Sequence, residues 1–323
     1  MKPIKLGFLI AIGLGAWYFF THFRIVGLEN VTIAPRGKAS AGGVSLAGAS
    51  RQGSGLRQRA LRIGAANFGP LDSAKLAKPH VANRVVQLLR QFDLVALQDI
   101  QAANPGLLVR LVEQLNAAGQ HYDYAVAPQV GRDPVRQFHA FVFDTDALEI
   151  DRRTVASVAA RGGGFRHPPL VAAFRARGPA PHEAFTFTLL SVQVSSERTN
   201  EELELLAQAY RAVRDDGRNE DDILIAGTLN TDEEHLGPLA ALPRMTCAIV
   251  GTPTVVGGTG RVDNIVFDRW ATCEFTHRSG VVDVVRQFNL SFAEAAEITA
   301  HLPVWAEFST YEGGQPGLVP SPP

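Results

Sequence analysis

The sequence predicts an α/β fold in which two β-sheets pack on one another with helices outside. Two observations point there. Strand-like and helix-like segments are interspersed from residue 61 onward, without the strict alternation of a doubly wound parallel sheet. The chain also has 323 residues, 46% hydrophobic and 20% charged. That composition excludes a disordered or collagenous chain, and single sheet-based domains of roughly 250 residues are common.

The elements follow in order. Residues 61–68, LRIGAANF, alternate like a half-buried strand. Ala74–Arg90 sets Leu76, Val81, Val85, Leu88 and Leu89 at helical spacing. DLVALQ (93–98) reads as a buried strand, Leu107–Ala117 as a helix, and Tyr122–Ala127 and Ala140–Phe143 as strands. FTFTLLSV (185–192) alternates Phe and Thr before turning fully apolar. Glu201–Val213 is expected as a helix with Leu203, Leu205, Leu206 and Tyr210 inward and Thr199 as its cap. Ile223–Ala226, Val262–Phe267 and Val304–Phe308 complete the strands.

Lys2 and Lys5 precede an apolar run, LGFLIAIGLGAWYFF. A cleaved signal peptide needs a small-residue site soon after such a run, and the nearest A-x-A, Ala39-Ser40-Ala41, lies far downstream. Residues 6–23 reach the about 17–25 residues of a membrane span, with Trp17 and Tyr18 suited to the headgroup region. The run is read as an uncleaved single-pass anchor, with a signal peptide as the alternative. The basic start favours a cytoplasmic N-terminus and an extracytoplasmic domain, although Arg24 on the far side opposes it. Residues 35–58 are rich in Gly, Ala, Ser and Arg with no apolar period and read as a tether. The expected organisation is an anchor at 1–24, a flexible linker at 25–60, a folded domain at 61–310 and a disordered tail at 311–323.

Formal net charge is −1. Residues 1–62 hold nine Lys/Arg against one acid, Glu29, so that segment carries +8 and the remainder −9. An acidic domain lacks the broad basic footprint of a tight nucleic-acid binder. Two cysteines, Cys247 and Cys273, do not make a disulfide scaffold. They read equally as a pair, if exported, or as two buried free thiols.

Several short motifs punctuate the domain. A strand ends in Asn67; the next ends in Gln98-Asp99; Gly131-Arg132 leads into an apolar strand through Phe143. SVQVSS carries Gln193, Gly227-Thr228-Leu229-Asn230 follows a strand, RVDNIVF carries Asp263, and Ala300-His301-Leu302-Pro303-Val304 precedes the last strand. In order and spacing these resemble the endonuclease/exonuclease/phosphatase family, most closely its deoxyribonuclease I-like branch, over residues 61–308. The resemblance implies a four-layer sandwich of two packed mixed β-sheets flanked by helices.

It also implies metal-dependent phosphodiester hydrolysis, acting on nucleic acid or another phosphodiester. Asn67 and Asp99 would hold the divalent ion, Mg²⁺ or Ca²⁺/Mn²⁺, which polarises the phosphoryl oxygen. His301, Asn230, Asp263, Gln193 and Thr228 fall at catalytic positions, and Arg166, before Pro168-Pro169, falls near a phosphate-binding arginine. The chain departs from the pattern at four of these places. Asp99 stands for Glu, Gln193 for His, Thr228 for Asp, and Ala300 for Asp. Thr228 cannot accept a proton at neutral pH, and Gln193 cannot exchange one. General acid–base catalysis is worth about 10²–10⁴-fold, so these losses together imply weak or lost hydrolysis. The alternative is a non-catalytic binding protein that keeps the family cleft. His139 reads as a pocket-wall or plain strand residue, and Gly162-Gly163-Gly164 as a loop. Nothing in the sequence points to a protein partner.

Overall fold

The chain divides into two units, Met1–Ser54 and Gly55–Pro323. The computed structural model describes residues 60–102, 106–127, 136–158 and 164–316, all in the second unit. The expected anchor, nearly all of the linker and residues 317–323 lie outside the described residues. Among the described residues no helix is long and apolar enough to cross a membrane.

One six-stranded sheet comprises, in spatial order, β11 (Phe275–Val281), β12 (Val304–Phe308), β1 (Leu61–Leu71), β2 (Leu94–Ala102), β4 (Arg136–Asp144) and β3 (Tyr122–Ala125). The other comprises β5 (Leu148–Ser157), β6 (Leu170–Ala176), β7 (Thr186–Gln193), β8 (Ile223–Thr228), β10 (Asp263–Asp268) and β9 (Met245–Cys247). Each sheet is mixed. β1 runs parallel to β2 and antiparallel to β12. β7 runs parallel to β8, and β8 antiparallel to β10. Parallel neighbours need a crossover. α1 (Ser73–Leu76) and α2 (Pro79–Leu89) supply it for β1–β2, and α4 (Thr199–Arg214) for β7–β8.

The two sheets close over an aromatic interior. Phe141, Phe143, Phe174, Phe185, Phe187, Phe267 and Phe308 are buried there. Phe185 stacks on Phe187 with centroids 4.9 Å apart. The outer face of the first sheet packs on α2, α3 (Gly106–Asn116), α5 (Val284–Phe288) and α6 (Phe292–Ile298) through Val85, Leu89, Leu111, Val284 and Ile298. The outer face of the second packs on α4 through Leu203, Leu206 and Tyr210. Helix, sheet, sheet and helix make the four layers that the resemblance implies.

Several local expectations change. The helical period over 74–90 is two helices, because Pro79 starts α2 and holds Lys78 extended (ψ 109°) before it. Thr199 is not the cap of α4 but its first residue, with Arg198 at the cap position. The Thr199 hydroxyl donates back to Ser195 O at 3.0 Å. Leu205 is only half-buried, and Glu202 lies inside instead, accepting the backbone N–H groups of Arg166 and Ser195, each at 2.9 Å. The folded body passes residue 310: Tyr311 bridges Ala184, and Gly313 N donates to Glu274. Cys247 and Cys273 are free thiols, half-buried and exposed respectively.

Candidate functional site

The topology gathers one end of the sandwich. The parallel strands β7 and β8 end there, at Gln193 and Thr228, and β1 and β2 break their pairing register there, at Asn67 and Asp99. β10 begins there, with Asp263 opposite Thr228. β12 is entered there from His301. Residues far apart in sequence therefore meet because strands of opposite direction end and begin at the same edge.

A hydrogen-bonded chain joins the two sheets. Asn67 Nδ2 donates to Thr228 Oγ1 at 3.1 Å, and Thr228 donates its hydroxyl to Asp263 Oδ1 at 2.6 Å. His301 Nδ1 lies 2.8 Å from Asp263 Oδ2. Asn67, Thr228 and Asp263 are buried, and His301 is about one-quarter exposed, at 23%. Burial opposes the imidazolium of His301, but the hydrogen bond and charge of Asp263, with the charge of Asp99, outweigh it and raise the pKa.

Hydrogen bonds of Thr254 and Thr299 hold the two strand entries that carry Asp263 and His301. Thr254 Oγ1 accepts from the backbone N–H groups of Val262 and Asp263, fixing the entry to β10. Thr299 donates to Asn67 O at 2.9 Å and accepts from His301 N at 3.1 Å, tying the entry of β12 to the end of β1. Gly227 sits at φ 145°, and a Cβ there would fall 2.0 Å from Val192 O. Only glycine lets β8 pass so close to β7 before Thr228.

Asp99 has a left-handed backbone, φ 53°. Its Oδ1 accepts from Gln101 Nε2 at 3.0 Å. Burial raises its pKa, against the hydrogen bond of Gln101 and the charges of His167, Lys75 and His301. Lys75, from α1, donates its ammonium to Phe68 O, and burial lowers its pKa against the attraction of Asp72 and Asp99. Asn67 Oδ1 accepts from Gly69 N at 3.0 Å and keeps a second lone pair. Asp99 and Asn67 thus present hard oxygens, one of them a desolvated carboxylate. This donor chemistry fits Mg²⁺ or Ca²⁺.

The other expected residues stand around this centre. Gln193 Oε1 accepts from Gln137 Nε2 at 3.3 Å, across the sheets. Asn230, left-handed at φ 52°, gives its amide to Val194 O at 2.5 Å. Arg166 pairs with Glu197 at 3.0 Å, with its side chain 58% exposed. The residue beside it, His167, is half-buried and feels Asp99, although burial and Arg166 lower its pKa. His139 is buried 3.1 Å from Ser191 Oγ, and burial pushes it down to about 3. Ala300 contributes only its carbonyl, accepting from Val256 N. Lys75, Gln101, His167, Thr254 and Thr299 are site residues that sequence reasoning missed. His167 stands beside Arg166, whose place before Pro168-Pro169 marks that loop in the sequence, and the other four carry no motif.

No family model matches the chain. Curated relatives do. Deoxyribonuclease-1-like 2 of Mus musculus is 24% identical over 270 residues, covering 78% of this chain and 93% of the relative. Deoxyribonuclease gamma of Rattus norvegicus is 21% identical, covering 76% of this chain and 83% of the relative. Among solved structures, the endonuclease/exonuclease/phosphatase from Bacteroides vulgatus superposes with a TM-score of 0.52 at 14% identity, covering 78% of this chain and 99% of its own. Humanized D. rerio TDP2 gives 0.53 at 13% identity, covering 78% and 99%. Along most of its length the chain resembles deoxyribonuclease I-like proteins, and its fold is that of the endonuclease/exonuclease/phosphatase family.

Proposed function

We propose that this chain is a phosphodiesterase of low turnover, a deoxyribonuclease I-like domain held at a membrane by its N-terminal segment. The observation that carries the activity is the His301–Asp263 pair, 2.8 Å apart at the mouth of the site. Asp263 orients the ring and favours its charged form, so His301 can neutralise a phosphate oxygen or deliver a proton to a leaving group. Asp99 and Asn67 would hold a divalent cation, which supplies Lewis-acid polarisation of the phosphoryl oxygen. Asn230 and Gln193 remain as neutral contacts beside it. The deoxyribonuclease names of the relatives support nucleic acid as substrate. The apolar run at 6–23 supports the anchor and an extracytoplasmic domain.

A specific observation favours the second reading, a binding protein without chemistry. The Thr228 hydroxyl spends its proton on Asp263, and Gln193 stands in place of a titrating group. No base for the attacking water remains at either position. A cation-titrated assay on DNA, RNA and a simple phosphodiester decides. We expect slow, chelator-sensitive hydrolysis that His301→Ala reduces by about 10²-fold. No turnover with oligonucleotide binding intact would establish the binding reading. Fast turnover that survives His301→Ala would remove the role assigned to this residue.

A further inference from the structure

The end of the sandwich opposite the candidate site holds a second group of carboxylates. Asp222 precedes β8, Glu274 precedes β11, and Glu312 follows β12. β8 separates this group from Thr228 by six residues, about 20 Å of strand. One ligand atom from each of Asp222, Glu274 and Glu312 lies within 4.8 Å of the others. Two oxygens on opposite sides of an ion at about 2.4 Å are themselves about 4.8 Å apart.

Acidic groups this close are costly unless something compensates them. Asp222 and Glu274 are each only 1% exposed. Glu274 Oε1 accepts from Gly313 N at 2.6 Å, and Glu312 Oε2 from Thr186 N at 3.3 Å. Glu274 Oε2 and Asp222 Oδ1 are buried with no hydrogen-bond partner. The Thr272 hydroxyl, also 1% exposed, lies against the Asp222 carboxylate without satisfying hydrogen-bond geometry. One oxygen each of Asp222, Glu274 and Thr272 is thus buried without a hydrogen bond. None of the groups that dominate the electrostatics of the three acids is a cation. Burial, and for Asp222 and Glu312 the charge of Glu274, raises these carboxyls, Glu312 to about 7. A bound dication would reverse that cost.

We infer that Asp222, Glu274 and Glu312, with the Thr272 hydroxyl, form a structural divalent-cation site, suited to calcium, that clamps the starts of β8 and β11 to the segment after β12. The donors are all hard oxygens. The half-buried Glu312 gives the ion a route from solvent. The site is separate from Asp99 and Asn67, so its loading does not depend on the chemistry proposed there.

The test is calcium titration of the full chain by calorimetry and by thermal melting, with magnesium in parallel. We expect calcium to raise Tm by about 5 °C at saturation. Asp99→Ala, which removes only the distant ligand, should keep that rise, whereas Glu274→Gln and Asp222→Asn should abolish it. Removing one charge also relieves repulsion, so both variants should melt no lower than wild type in chelator. A rise that vanishes in Asp99→Ala would assign the effect to the other site and overturn the inference. So would calorimetry showing no calcium bound to Asp99→Ala, the result expected if the three carboxyls merely share protons. If Glu274→Gln does not fold, that calorimetric result on Asp99→Ala still decides.

Discussion

At residue 228 a hydroxyl stands where the resemblance implies a carboxylate, and the structure shows what that does to its neighbours. A carboxylate there would face Asp263, two acids within hydrogen-bond reach. The threonine instead donates to Asp263 Oδ1, and Asp263 accepts from His301 chiefly through Oδ2, so one carboxylate serves both neighbours. The substitution therefore removes a base and leaves the Asp263–His301 pairing in place. The pH consequence has a definite sign. His301 has a raised folded pKa, so the stability its charge contributes is fully present below the ordinary value of 6.5 and is lost as pH rises through the folded value. In Asp263→Asn the principal raising cause disappears and burial remains, so the pKa should fall below 6.5. An NMR titration of the ring in both proteins checks this. Equal pKa values would show that Asp263 does not control the ring.

The element scale explains which parts of the fold and site were legible in the sequence. β1, β2, β7 and β12 were, because long buried strands write their burial as alternation or as an unbroken apolar run. β5 was not. It carries Asp151, Arg152, Arg153 and Thr154 in its middle, and its register on β6 shifts between Asp151 and Ala156, which breaks the period of two. β6 mixes Ala with one Arg, and α5 and α6 are too short for a helical period. The site divides the same way. Gln193, Thr228 and Asp263 sit at strand ends, Asn67 and Asp99 at register breaks and His301 just before a strand, where order along the chain identifies them. Lys75 and His167 reach Asp99 only through tertiary packing. Gly227 is the residue on which this edge depends, since β8 must approach β7 closely to aim Thr228 at Asp263. Gly227→Ala should cost on the order of 3 kcal/mol, from the left-handed φ and the clash with Val192 O together. Denaturant unfolding measures it, and a loss under about 0.5 kcal/mol, the range of an ordinary surface change, would show that the close approach relaxes without strain.

For the whole molecule, the question is how much of the chain the body needs. The interior between the sheets closes with residues from Leu61 to Phe308, and the capping contacts of Tyr311 and Gly313 lie just beyond. β1 is not an edge strand but sits between β12 and β2, so the body tolerates a start before Leu61 and not one within β1. A chain beginning at residue 59 should therefore be soluble and unfold in one cooperative step. A chain beginning at residue 69 loses the strand that joins the two halves of its sheet and should aggregate. The full chain tests the anchor on the same ground. If residues 6–23 span a membrane with Lys2 and Lys5 on the cytoplasmic side, the full chain should sediment with membranes and resist carbonate extraction. Protease added outside intact cells should then release a folded fragment that starts in the 35–58 tether. Complete protection of the body in those cells, or its recovery as soluble protein beginning near residue 42, would overturn the outward, anchored arrangement. Neither result would touch the fold, because among the described residues the interior clusters are built from residues 61 onward.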